Sequence, residues 1–376
     1  MINSWSYNKE YELFRKNILR SIDKSLKSGK IFFGYEIKKF ERKFLSTNKI
    51  KYGSAVGSGT EALYISLIAL GIKENDEVIT VSNTAIATVS AIVLAGAKPR
   101  FVDVGEDYLI DVDKIEKEIS NKTKAIVAVH LYGQACNMDK ILQISRKYNL
   151  KLIEDCAQAQ GAKFKNKFVG NFGDLSCFSF YPTKILGAYG DGGFVATNNK
   201  NLFTKTRQIR FYGIDTLDKK NKFFNKYYSN THGINSRIDE IQCAILNIKI
   251  NKIKNFIKKR IEISKIYNKH LSNTGLILPK INQKNKHVFH LYVVYHPKRN
   301  LIFKNLKKYN ISLSVQYPYP IHSMIGYSKY LAKKETVLPL TEKFSKGIFS
   351  LPIYPTIEKK KIFKLINVLK KILKKI

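Results

Sequence analysis

The chain has 376 residues, 44% of them hydrophobic and 12% aromatic, enough to bury a large core and to form two domains. No apolar run approaches the roughly 20 residues that a spanning helix needs, and Met1-Ile-Asn-Ser-Trp-Ser6 has no signal-peptide pattern, so a folded, cytoplasmic protein is expected. The net charge of +37 ordinarily nominates nucleic acid or an anionic membrane, but the lysines are spread along the chain with an excess of Ile and Asn and without a nucleic-acid-binding motif, which reads as compositional drift.

In chain order, Tyr11 to Leu26 opens as an amphipathic helix. Ser54-Ala-Val-Gly-Ser-Gly-Thr60 follows, then a helical run with Leu63, Leu67 and Leu70 on one face, closed by Gly71. Short strand-like runs come next at Val78–Val81, Arg100–Val104, Ala125–His130, Lys151–Glu154, Ser176–Phe180 and Gly193–Ala196, most of them separated by helical patterns. That alternation predicts a mainly parallel sheet covered on both faces. A long helical segment from about Ile238 to Leu271 leads away from it. His290–Tyr295 reads as a strand, and Ile362, Leu365, Leu369, Ile372 and Ile376 mark a closing amphipathic helix, so the last third is a smaller α+β domain. The expected division is 1–245 for the large domain and 246–376 for the small one.

The chemistry concentrates in a few places. Lys184 lies in Ser179-Phe-Tyr-Pro-Thr-Lys-Ile-Leu-Gly-Ala-Tyr-Gly-Asp-Gly-Gly193, where glycines 187, 190, 192 and 193 permit a tight loop. Asp155 ends the apolar run Lys151-Leu-Ile-Glu-Asp155, at the carboxyl end of a buried-type strand, where open α/β sheets place their ligands. A lysine that forms an imine and a carboxylate that keeps a pyridine nitrogen protonated are the minimum equipment for pyridoxal phosphate (PLP) chemistry. Taken alone, Lys184 reads as a solvated surface lysine, and Asp155 equally as a cap. Gly57-Ser58-Gly59-Thr60 before a helix fits a phosphate cradle and, as well, an ordinary capped helix. Cys136, Cys156, Cys177 and Cys243 stand apart among apolar neighbours, so buried thiols are expected, with neither a disulfide framework nor a metal site.

Val56-Gly-Ser-Gly-Thr-Glu-Ala-Leu63, Val129-His-Leu-Tyr-Gly-Gln134, Ile153-Glu-Asp-Cys-Ala-Gln-Ala-Gln-Gly-Ala162, Ser179–Gly193 and Gly233-Ile-Asn-Ser-Arg-Ile-Asp-Glu-Ile-Gln242 together resemble the DegT/DnrJ/EryC1/StrS family of PLP-dependent sugar aminotransferases. The resemblance runs from about residue 30 to 355. It implies the three-layer α/β/α architecture of PLP transferase fold type I, and a homodimer with shared active sites. It further implies that Lys184 forms the imine with PLP and carries the proton of the 1,3-shift, that Asp155 holds the pyridinium nitrogen and that Gln158 contacts the 3-hydroxyl. Ser179, Gly59 and Thr60 would bind the phosphate, and Asn235 would reach it from the partner subunit. His322, in Tyr317-Pro-Tyr-Pro-Ile-His322, matches a histidine near the sugar, with a surface or structural histidine as the alternative, and Tyr317 is a second candidate for substrate contact.

Three positions depart from the family pattern. Ala85 stands where many relatives stack an aromatic on the PLP ring, Gln160 replaces a common histidine, and Thr183 a frequent glycine. The implied reaction moves an amino group from L-glutamate to a nucleotide-diphosphate-linked keto-sugar, at C3 in preference to C4, for surface polysaccharide or another glycoconjugate. Two alternatives stay open: a PLP-dependent sugar dehydratase, which typically lacks the lysine, and a non-catalytic regulatory or nucleic-acid-binding protein that exploits the charge.

Overall fold

The computed structural model describes residues 1–214, 227–333 and 335–376. Its centre is a seven-stranded sheet made of β1 (Tyr52–Val56), β2 (Glu77–Val81), β3 (Lys98–Val102), β4 (Thr123–Val129), β5 (Lys151–Asp155), β6 (Leu175–Ser179) and β7 (Gly193–Thr197), in the spatial order β1-β7-β6-β5-β4-β2-β3. β7 runs antiparallel to both neighbours and every other pairing is parallel, giving the mainly parallel mixed sheet expected. β3 starts at Lys98 and stops at Val102, two residues early on each side of the expected Arg100–Val104. Asp103 leaves the ladder because its carboxylate collects the N–H groups of Val104, Leu340 and Thr341.

The helices of this part are α1 (Asn8–Lys27), α2 (Tyr35–Asn48), α3 (Gly59–Ala69), α4 (Ile86–Leu94), α5 (Met138–Lys147), α6 (Lys200–Ile209) and α7 (Glu240–Lys249). Strand periodicity divides them into two layers, since successive side chains leave opposite faces. On β6, Phe178 meets Phe44 of α2 edge to face at 5.0 Å, whereas Cys177 lies 3.1 Å from Ser66 of α3. On β5, Asp155 faces α4 through Thr88, and Glu154 points the other way, to His130 and the 170–173 turn. The result is the three-layer α/β/α arrangement. α3 differs from the one-faced helix expected: Ala62, Leu63, Ile65, Ser66, Leu67 and Ala69 are all buried, because α4 and α6 cover the side turned from the sheet.

The long helical segment is real but bent. Asp239 caps α7 by accepting from the Gln242 N–H at 2.8 Å, and a 3-10 turn, Ile250–Lys252, separates α7 from α8 (Ile253–Leu271). The bend leaves Lys249 buried against Glu10, 2.6 Å away, while α7 packs on α1 and α2. Beyond α8 come β8 (Tyr292–Tyr295), α9 (Arg299–Lys307), α10 (Pro339–Gly347), β9 (Ile348–Leu351) and α11 (Lys359–Leu373), with β8 and β9 paired antiparallel. A second apolar cluster joins them, including Tyr267, Tyr292, Ile302, Phe349, Ile362, Leu365 and Leu369. It also takes in Ile2, which pairs with Ile311 in a short parallel bridge. The four cysteines are free and buried. Among the described residues no helix is long and apolar enough to cross a membrane.

Candidate active site

The carboxyl ends of β1, β4, β5 and β6 lie side by side, with Val129 in register with Asp155, and Gly193 of β7 opposite both Ser179 and Val56. α3 begins immediately beyond β1. Its N-cap Ser58 accepts from the Glu61 N–H at 3.1 Å, a side-chain cap on the first turn. The cap leaves the N–H groups of Gly59 and Thr60 outside the helical ladder, at the positive end of the helix dipole. A Cβ on Gly59 would lie 2.8 Å from the Ser179 Cβ. Glycine is what lets the helix end and the end of β6 meet.

Asp155 is buried, and both oxygens are held: Oδ2 accepts from the Thr88 hydroxyl at 2.8 Å and Oδ1 from the Ala157 N–H at 3.1 Å. Thr84 lies 3.0 Å from Thr88, hydroxyl to hydroxyl. Next to Asp155, Glu154 fixes the same strand end from the far face. Its oxygens accept from the N–H groups of Gly170, Phe172 and Gly173 and from His130 Nε2. His130 Nδ1 accepts from the Cys136 N–H at 3.1 Å, which places the imidazole proton on Nε2. Burial works against the Glu154 carboxylate, yet these donors hold its pKa below the usual value. Glu154, His130 and Cys156 bring potential ligand atoms within 4.8 Å of one another, and the first two are committed to this knot.

Lys184 sits in a turn closed by its own N–H donating to the Tyr181 carbonyl at 2.9 Å. Gly187 makes the turn possible, since a Cβ there would fall 2.5 Å from the Pro182 carbonyl oxygen. Gln160 braces it: its amide nitrogen donates to the Ser179 carbonyl at 2.7 Å and its amide oxygen accepts from the Leu186 N–H at 2.8 Å. The residue that departs from the family's histidine therefore ties the end of β6 to the lysine turn. Burial draws the Lys184 amine down to about 8, with Asp155 opposing the shift.

A cavity of about 210 Å³ gathers these groups, lined by Gly59, Thr60, Ala85, Asp155, Gln158, Ser179 and Lys184 among others. Gln158 accepts from the Tyr132 N–H at 2.9 Å and donates to the Tyr317 hydroxyl at 3.0 Å. A second cavity of about 260 Å³ adjoins it, sharing Lys184 and Tyr181 and lined also by Tyr317, Arg260 and His290. Two further candidates line neither cavity of this chain. The His322 ring is tied to Ser82 at 2.8 Å and to Glu342 at 3.4 Å and lines neither cavity. Asn235 is exposed, bridges to Phe211 and lines neither cavity of its own chain. Thr88 and Arg260 were not singled out by sequence, although Thr88 stands three residues after Ala85 and a helical repeat from there would have flagged it.

The donor set of the first cavity fits PLP: an amine for the aldehyde, a carboxylate for the ring nitrogen, and a helix N-terminus beside a serine hydroxyl for the phosphate. Ala85, at the N-cap of α4, contributes only a methyl to the lining, as its departure from the family pattern implied.

Fold and site together define an aminotransferase of fold type I. Residues 13–370 match the DegT/DnrJ/EryC1/StrS aminotransferase family, and the chain belongs to it. It is 42% identical over 359 residues to the dTDP-3-amino-3,4,6-trideoxy-alpha-D-glucose transaminase of Micromonospora megalomicea subsp. nigra, covering 94% of each chain. It is 39% identical to the dTDP-3-amino-3,6-dideoxy-alpha-D-galactopyranose transaminase of Aneurinibacillus thermoaerophilus, again over 94% of each. The crystal structure of S. venezuelae DesV in complex with a ketimine intermediate superposes with a TM-score of 0.93 at 32% identity, covering 99% of this chain and 98% of that one.

Proposed function

We propose that this aminotransferase uses PLP to move an amino group from L-glutamate to a keto-deoxysugar carried on a nucleotide diphosphate, at C3 of the sugar, acting as a cytoplasmic homodimer. The observation that carries the reading is one cavity holding a neutralisable lysine, a doubly hydrogen-bonded carboxylate and a capped helix N-terminus. When bound, PLP supplies an electron sink for the pair released as a carbon–hydrogen bond breaks. Lys184 Nζ takes that proton and returns it to the neighbouring carbon, which requires an amine that loses and regains its charge near neutral pH. Asp155, pinned by Thr88 and the Ala157 N–H, would hold the ring nitrogen. Ser179 and the first turn of α3 would bind the phosphate. Gln158 keeps a second amide hydrogen for the ring hydroxyl after its bond to Tyr317.

The nucleotide-sugar assignment and the C3 preference rest on what the two transaminases above are named for. The homodimer rests on Asn235, which is exposed on its own chain and suits a phosphate contact in a partner's cavity. Entry of the product into surface polysaccharide or another glycoconjugate completes the reading.

The test is the visible absorbance of the protein loaded with PLP, before and after L-glutamate, beside Lys184→Ala. We expect a yellow lysine-bound cofactor band that fades with glutamate in the unmodified protein only. A band insensitive to Lys184→Ala, or no band at all, would defeat the proposal.

A further inference from the structure

The second cavity has a wall that the first does not explain. Among the described residues its only ionic lining groups are Lys184 and Arg260, and no carboxylate lines it. Arg260 is 4% exposed and is anchored through Nη1 to the carbonyls of Phe289 and His290, at 3.1 Å each. Neither bond balances its charge. Glu10, the acid whose field reaches Arg260, is itself engaged by Lys249 at 2.6 Å. A buried guanidinium without a paired anion is costly, and an anionic occupant offsets that cost. Among the described residues nine buried side-chain nitrogen or oxygen atoms have no hydrogen-bond partner, and three of them, Ser4 Oγ, Arg260 Nε and His290 Nδ1, belong to residues of this one wall. At about 260 Å³ the cavity falls below the roughly 300–1,000 Å³ typical of drug-sized ligands, so it suits an amino acid and not a nucleotide sugar.

We propose that this cavity is the subsite for the amino donor, with Arg260 as the counter-charge for a donor carboxylate and Ser4 and His290 as the neutral polar groups beside it. The inference rests on the transaminase reading above. Once Lys184 is engaged with the cofactor, Arg260 is the one cation left on this wall, so the donor's carboxylate is directed away from the lysine and its amine toward it. The same contact holds the 2-oxo acid that leaves, because that product keeps the carboxylate and exchanges only the amino group for a carbonyl oxygen.

Trp5, the single tryptophan of the chain, lines this cavity and reports on its occupant. The PLP-loaded protein is titrated with glutarate, a dicarboxylate that has no amine and cannot react, and with glutaramide, its neutral counterpart, while Trp5 fluorescence is followed. Glutarate is expected to give a saturable change and glutaramide none. Arg260→Gln should weaken glutarate at least about tenfold, the loss expected for one charge-assisted contact, with the lysine-bound cofactor band unchanged. Equal binding of the two probes, or an Arg260→Gln protein that binds glutarate as the unmodified one does, overturns the donor subsite. If circular dichroism shows that Arg260→Gln does not fold, the glutarate–glutaramide contrast in the unmodified protein decides alone. Absence of the cofactor band sinks the transaminase reading, whereas a normal band without a glutarate response sinks only this subsite.

Discussion

Under the function proposed, Lys184 would attack an aldehyde and later carry a proton, and both tasks need an amine that is neutral for a useful fraction of the time. Burial brings its pKa to about 8 while the Asp155 charge pulls the other way. Roughly a quarter of the amine is then neutral at pH 7.5, against about one part in a thousand for an unperturbed lysine. Because the neutral form is the nucleophile, the rate at which cofactor-free protein combines with PLP should climb as pH rises to about 8 and then level off. Asp155→Asn removes the charge that favours the ammonium, so it should move the midpoint lower. Stopped-flow absorbance across this range checks both, and a rate still climbing at about pH 10 would contradict them. The motif residues of this site were legible because each stands in a short run whose residue types are themselves unusual, as in Gly57-Ser58-Gly59-Thr60 and around Lys184. Thr88 was not, since its importance lies in a bond to a residue 67 positions away. Arg260 looks like one more cation on a basic helix until α8 packs and leaves it 4% exposed.

Elements were legible in proportion to their length. Buried parallel strands are near-continuous apolar runs, and most of the expected ones fall within one or two residues of β2, β4, β5, β6 and β7. The 3-10 turn after α7 and the two-residue bridge from Ile2 to Ile311 are too short for any periodicity to reveal. The junction between β3 and α10 was equally hidden, although it joins the sheet to an element of the last third. Asp103 Oδ1 accepts from the Thr341 N–H and hydroxyl at 2.9 and 2.8 Å, and Oδ2 from the Leu340 N–H at 3.1 Å, so a strand end caps a helix that lies more than two hundred residues away. Asp103→Ala leaves those donors without an acceptor in a buried place, and should lower stability by about 2–3 kcal/mol, read as a shift in urea midpoint. Burial opposes the charge, but the Thr341, Leu340 and Val104 donors hold the Asp103 pKa below its usual value. A depressed carboxylate contributes stability above its unfolded pKa and loses it as pH falls through the folded one. The difference between the unmodified protein and Asp103→Ala should therefore shrink on acidification, and a gap that stays constant into strong acid would rule this cap out as an ionised one.

Over the whole molecule, 66 lysines and arginines face 29 acids. Even with every carboxylate paired, the excess remains, and exposed pairs such as Lys280–Glu106 contribute little to stability. Composition made this charge plain at once, while saying nothing of its target. The structure sharpens the question, because the cavities that meet at Lys184 are entered by ligands that carry negative charge under the function proposed here. A net positive field raises the encounter rate of an anion and leaves the chemistry untouched. It acts over a Debye length of about 8 Å at physiological ionic strength and about 3 Å at 1 M. Raising salt should therefore increase the KM for the nucleotide sugar several-fold with kcat unchanged, and should affect glutamate less, since it bears a smaller net charge. Steady-state kinetics with each substrate varied in turn, at low and high potassium chloride, makes the comparison. If kcat falls together with kcat/KM, salt is disturbing the folded site and not the approach to it; if neither substrate responds, the excess lysines lie where their field does not reach the entrance, and their number is a property of composition alone.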